Sequence, residues 1–182
     1  HGANRLGASS LMQAAGDGFF ILPCTITNYL SDEIRIPAIS TEGPEFSEAE
    51  QNVRERLARL ISVRGRQTAS AFHKRLGMIM WNHCGMTRNE EGLRKALDLI
   101  RNLREEFWND LLVPGTSGEL NQELEKAGRV ADFLELSELL VTDALERKES
   151  CGAHFREEFK TDEGEALRND AEYACVAAWE YK

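Results

Sequence analysis

No apolar run in this chain approaches the roughly 18 residues that a membrane-spanning helix needs. The nearest, Gly18-Phe19-Phe20-Ile21-Leu22-Pro23-Cys24, is far shorter. Basic charge is also scarce: 22 Lys and Arg stand against 31 Asp and Glu, a formal net charge of -9. That balance argues against nucleic acid or an anionic membrane surface as a direct partner. Paired cysteine motifs are missing too. Cys24, Cys84, Cys151 and Cys175 are scattered, without the compact spacing of a secreted disulfide scaffold, so reduced thiols are the default. There is no internal repeat and no low-complexity tract. The chain starts at His1 with neither an initiator methionine nor a signal peptide, and is expected to be a piece of a longer protein.

What is present suits a soluble globular domain. The chain has 182 residues, of which 42% are hydrophobic and 29% charged. Both proportions are ordinary, and the length suffices for one sizeable core. Three sections are expected: 1-45, 46-150 and 151-182. In the first, Ser9 or Ser10 caps a short helix through Leu11, Met12 and Ala15 that ends near Gly16 or Gly18. An apolar stretch follows, and the turn Thr41-Glu42-Gly43-Pro44 closes the section.

The middle section is helical throughout, with apolar residues recurring at three- and four-residue intervals. Ser47 with Glu50 reads as a capping box ahead of Val53, Leu57, Leu60 and Ile61. A second helix starts near Thr68 or Ser70 and turns Phe72, Leu76, Ile79 and Met80 inward. Thr87 with Glu90 opens a third, lined by Leu93, Leu97, Ile100, Phe107 and Leu111 and ended by Pro114-Gly115. Thr116 with Glu119 opens a fourth, running through Leu124, Ala131, Leu134 and Val141, where Gly128 could interrupt. The expected fold is mainly α: an antiparallel bundle of three to four helices with a short extended tail. In that tail, His154 to Phe159 and Tyr173 to Tyr181 read as extended, separated by a polar loop from Thr161 to Asp170.

Few side chains carry chemistry. Cys151-Gly152-Ala153-His154 has the two-residue gap of many metal-ligand pairs, but zinc needs two further ligands and no second pair exists. Cys151 with His154 could also form a nucleophile-base pair, although nothing marks an oxyanion hole. Glu50 with Arg54, and Glu91 with Lys95, are solvated helix-face pairs without mechanism. The first seven residues differ. His1-Gly2-Ala3-Asn4-Arg5-Leu6-Gly7 crowds glycine, amide and guanidinium into one loop. It reads either as a turn with a surface arginine or as a ligand-facing loop whose arginine fork selects carboxylates.

That loop, extended through Ala8-Ser9-Ser10-Leu11, resembles the HGANRLGxNSL signature of succinate dehydrogenase and fumarate reductase flavoprotein subunits. Arg147-Lys148-Glu149-Ser150-Cys151-Gly152-Ala153-His154-Phe155-Arg156 is similar to the family's R-x-E-S-R-G-A-H-x-R segment. Glu119-Leu120-Asn121 and Leu134-Glu135-Leu136 fit its E-F-N and L-E-L positions. Two residues depart from the pattern: Ser9 replaces an asparagine and Cys151 an arginine.

The resemblance implies a function. Arg5 matches the arginine that grips a substrate carboxylate, and Ser10 and Leu11 match contacts to FAD. The implied reaction is hydride exchange between FAD and succinate or fumarate. An iron-sulfur subunit would carry electrons onward, and a membrane anchor subunit would hold both at the cytoplasmic side of the inner membrane. The same resemblance puts the main FAD-binding motif, the histidine tethering FAD and the catalytic groups upstream of His1. No catalytic residue and no metal ligand is therefore assigned here, and the piece alone is expected to be inactive. Residues 1-45 then read as the edge of the FAD-binding domain. L-aspartate oxidases share the N-terminal motif and form one alternative; a non-catalytic helical interaction module is another.

Overall fold

The computed structural model describes residues 9–180, and the chain divides into two compact units, His1–Glu48 and Ala49–Lys182. In the first, α1 (Ser9–Gly16) leads into a π-helical turn, Asp17–Ile21, and then α2 (Leu22–Leu30). The expected short helix is therefore only the start of a longer helical run. The π turn has a local cause. Pro23 has no N–H to continue the α ladder, and just before it the Leu22 N–H bonds back five residues to the Asp17 carbonyl. Neither Gly16 nor Gly18 ends the run. Among the described residues of this unit no apolar side chain is buried, and Phe19, Phe20 and Ile21 all stand in solvent.

The next helix, α3 (Pro44–Ser62), begins at a proline rather than at the expected Ser47 cap. Proline tolerates the first helical turn because its missing N–H would be unpaired there anyway. Ser47 lies inside the helix, with its N–H on the Gly43 carbonyl. The core of the second unit is built by α4 (Ala69–His83), α5 (Glu90–Asp110) and α6 (Gln122–Glu146). Along α5, Leu93, Ala96, Leu97, Ile100, Leu103 and Phe107 form one buried stripe at helical spacing. Phe107 meets Phe72 of α4 edge to face, with ring centroids 5.3 Å apart. Such an arrangement sets the positive edge of one ring against the negative face of the other. From α6, Leu124, Ala127, Val130, Ala131, Leu134 and Val141 close the other side. Leu60 of α3 joins the same core, and Arg59 lies 3.9 Å over the Trp108 ring.

Two parallel strand pairs fix the helix directions. β1 (Gln67–Thr68), just before α4, pairs with β3 (Leu111–Leu112), just after α5. β2 (Thr87–Arg88), just before α5, pairs with β4 (Phe155–Arg156), beyond α6. Each pair ties the start of one helix to the end of a neighbour, so α5 runs antiparallel to both α4 and α6. The helical-bundle expectation holds.

Three more of its boundaries move. Thr68 caps α4 as expected, accepting from the Ala71 N–H. Thr87, however, is taken into β2, and Asn89 caps α5 by accepting from the Gly92 N–H. Asn121, not Thr116, caps α6: its Oδ1 accepts from Glu123 and Leu124 while its Nδ2 donates to the Pro114 and Thr116 carbonyls. And α5 ends at Asp110, four residues before Pro114, because β3 takes over. Gly128 leaves α6 unbroken. Gly65 is required by close approach: a Cβ there would lie 2.0 Å from the Asp110 carbonyl carbon.

Ion pairs cross between helices as well as along them. Glu50 pairs with Arg54 on α3 as expected, and Glu90 pairs with Arg94 on α5. Glu138 of α6 takes both Arg101 and Arg104 of α5; burial opposes its charge, but the two guanidiniums hold its carboxyl below the usual range. The expected extended tail is extended only in part. β4 is a true strand, whereas Tyr173 ends a single helical turn, α7 (Asp170–Tyr173).

Candidate functional site

Of the residues assigned to substrate and cofactor, Arg5 lies outside the described residues. Ser10 is buried in the first turn of α1 and Leu11 is exposed. Ser9 is the first described residue, and Ser10 and Leu11 follow it in α1.

The downstream segment, Arg147 to Arg156, is where the structure concentrates polar contacts. It leaves the end of α6, reverses direction and returns as β4 beside β2. Arg156 is 1% exposed, and its Nη1 donates to the Ala144 and Leu145 carbonyls at 2.9 and 3.2 Å. It thus satisfies carbonyls that the end of α6 leaves without partners, with the charge sign the helix terminus prefers. Its Nε donates to Glu158, whose other oxygen accepts from the Glu90 N–H at the start of α5. Ser150, fully buried, accepts from the Arg156 N–H and donates to the Arg156 carbonyl. Glu149, also buried, accepts from Arg147 Nε and from the Asn169 N–H, each at 2.8 Å. The Asn169 bond, ahead of Arg147 and against burial, keeps its carboxyl below the usual range. Long-range pairing of Glu149 with Asn169 and Arg88 with His154 is not visible in the sequence, since neither partner has a fixed spacing.

Cys151 and His154 come together as the two ends of a tight turn, not as a ligand pair. Their backbones exchange both hydrogen bonds, and Gly152 takes φ +59, a left-handed conformation that glycine adopts readily. Both ring nitrogens of His154 are engaged: Nδ1 sits 3.0 Å from Arg88 Nη1 and Nε2 2.9 Å from the Arg147 carbonyl. Neither is left to bind a metal or to deprotonate a thiol. Among the described residues no group of three His, Cys, Asp or Glu is placed to hold a metal ion. Burial pushes the Cys84 thiol up, against the pull of Arg88, and so keeps it away from the reactive thiolate form. An open groove between α4 and α5, lined by Met78, Ile79 and Leu103, carries the Arg75–Glu106 pair at its wall and no convergent catalytic groups. The downstream segment is an anchor for the tail, with its buried side-chain polar atoms all partnered.

Residues 73–182 match the family model described as fumarate reductase flavoprotein C-term. The chain belongs to this family. Its similarity extends further towards the N-terminus in individual relatives. The succinate dehydrogenase flavoprotein subunit of Bacillus subtilis is 28% identical over 173 residues, 95% of this chain and 28% of that protein. The fumarate reductase flavoprotein subunit of Haemophilus influenzae is 28% identical over 156 residues, 86% of this chain and 25% of that protein. A Methanocaldococcus jannaschii relative, 30% identical over 87% of this chain and 26% of its own length, is described as an FAD-dependent oxidoreductase. A mutant quinol fumarate reductase of Escherichia coli aligns with TM-score 0.61 and 28% identity, covering 74% of this chain and 22% of that one. The chain thus spans about a quarter of the length of these relatives. In this chain the Arg147–Arg156 segment ties the tail to the end of α6.

Proposed function

We propose that this chain forms the C-terminal part of a flavoprotein subunit that interconverts succinate and fumarate by hydride transfer to or from FAD. The family match over residues 73–182 is the observation that carries the reading. In this proposal residues 1-45 are the edge of the FAD-binding domain, 46-150 the helical domain and 151-182 its tail. The exposed Phe19, Phe20 and Ile21 support the first assignment, since apolar surface of that kind is normally covered by a partner surface.

Arg5 would hold one carboxylate of the dicarboxylate through its planar fork. The N–H groups of Ser10 and Leu11 would face the flavin, where such donors favour negative charge on a reduced ring. The donor set suits the group: hydroxyl and amide hydrogens, with no competing carboxylate among the neighbouring residues 1–16. FAD supplies the electron-pair chemistry; these residues bind and orient. The remaining binding and catalytic groups would come from sequence N-terminal to this chain. An iron-sulfur subunit would accept the electrons, and a membrane anchor subunit would place the assembly at the cytoplasmic side of the inner membrane. The relatives' description as quinol-fumarate reductases supports further subunits.

The test is Arg5→Lys in the complete enzyme. A point charge cannot replace the bidentate fork, so succinate turnover should fall by about a hundredfold or more, the loss expected for one or two charge-assisted bonds. Near-normal turnover with unchanged KM would remove Arg5 from the site.

A further inference from the structure

The ring of His154 bridges the start of α5 and the end of α6. Arg88 stands in β2 at the start of α5, Arg147 follows the end of α6, and His154 directly precedes β4. A guanidinium has hydrogens to give and no lone pair to receive one. The 3.0 Å contact therefore makes Nδ1 the acceptor, and the ring's single proton sits on Nε2, donated to the Arg147 carbonyl at 2.9 Å. This arrangement exists only for the neutral ring. A second proton on Nδ1 would point at Arg88, and no carboxylate is placed to compensate. The charged groups acting on His154 from the surrounding elements are Arg88, Arg156 and Arg147. The nearby acids are committed elsewhere, Glu149 to Arg147 and Asn169, Glu158 to Arg156 and Glu90.

We propose that His154 is a proton-operated latch: the neutral ring holds the returning segment 151–169 on the bundle, and one proton on Nδ1 breaks the Arg88 contact and loosens the β2–β4 pairing. The bonds that depend on it are near. The Glu157 N–H reaches the Arg88 carbonyl at 2.8 Å, and the Cys151 N–H reaches the His154 carbonyl at 2.8 Å.

Burial is the largest force pushing His154 below the usual histidine range; the Arg147 carbonyl opposes it and the three guanidiniums reinforce it. The unfolded or detached segment takes its proton near the ordinary value of about 6.5, whereas the latched ring resists. Latching is therefore complete above that pH and is lost as pH falls below it towards the latched value. Each unit of separation between the two values weakens the latch by about tenfold. Glu149 and Glu158 are both held below the ordinary carboxylate range. Their contributions therefore fail only in a lower window, beneath about pH 4.3.

The test uses the full chain. Side-chain nitrogen NMR should find His154 in the Nε2–H form, titrating below ordinary histidine. Amide exchange corrected for intrinsic rate should show Glu157 and Cys151 losing protection, relative to Ile100 in the bundle, between about pH 7.5 and 5.5. Arg88→Met should move the His154 midpoint upward, and His154→Gln should abolish the acid loss in that window. An Nδ1–H ring, a midpoint that Arg88→Met leaves in place, or an equal acid loss in the glutamine variant would overturn the latch. Should the glutamine variant not fold, the wild-type titration and Arg88→Met decide between the same outcomes.

Discussion

Removing the Arg156 guanidinium is the sharpest probe of how the tail is anchored. Arg156→Met keeps a long unbranched side chain but deletes every donor. The Ala144 and Leu145 carbonyls, reached at 2.9 and 3.2 Å, then lose their partner at a site that is 1% exposed. Leaving a buried acceptor unsatisfied costs about 1–3 kcal/mol each. Glu158 loses its cation but is part-exposed and keeps the Glu90 N–H, so its contribution is small. The sum is about 2–6 kcal/mol, which brackets the loss found when one partner of a buried ionic contact is removed. At roughly 2–4 °C per kcal/mol for a chain of this size, Tm should fall by about 10 °C. Denaturant unfolding followed by far-UV circular dichroism measures this, with the slope unchanged if the unfolded state is unaffected. Arg156→Lys, which can reach the carbonyls but not also Glu158, should recover about half. A loss under about 1 kcal/mol for the methionine variant would mean that water replaces the guanidinium, and that Arg156 does not anchor the tail.

Two other substitutions test local claims. Gly65→Ala would set its Cβ 2.0 Å from the Asp110 carbonyl carbon, so the Gly65–Leu111 hydrogen bond and the β1–β3 pairing should be lost. Tm should fall accordingly, and an unchanged Tm would contradict that packing. Glu138→Gln removes the negative charge shared by Arg101 and Arg104, which are part-exposed, while keeping one acceptor oxygen. The loss should therefore stay near about 1 kcal/mol in urea melts; more than about 3 kcal/mol would show the site to be drier than its exposure suggests.

The helical stripes are legible in the sequence because burial repeats with the helical turn: Leu93, Leu97, Ile100 and Phe107 all reach the core. Helix starts are less legible, for a physical reason. Thr87 and Thr116 are good caps by residue type, but strand pairing with Phe155 claims the first and Asn121 outcompetes the second with four hydrogen bonds. Both outcomes depend on contacts that a local window does not contain. The helical run from Ser9 to Leu30 lacks a clean stripe because no apolar side chain described in it is buried, so periodicity has nothing to report. In the downstream motif the residues are visible as a family pattern, yet their work is not. Arg156 acts on a helix end 11 and 12 residues earlier, and Glu149 on an amide 20 residues later. Cys151 stands where the family pattern has arginine, and nothing in the structure explains the substitution.

The most direct test of the functional reading is optical. The subunit that carries this chain together with its flavin-binding sequence is purified, and its visible flavin absorbance is followed as succinate and then fumarate are added. The reading predicts bleaching by succinate, recovery with fumarate, and both responses slowed by about a hundredfold or more in the Arg5→Lys variant. A subunit that binds no flavin, or whose flavin ignores both dicarboxylates, would contradict it.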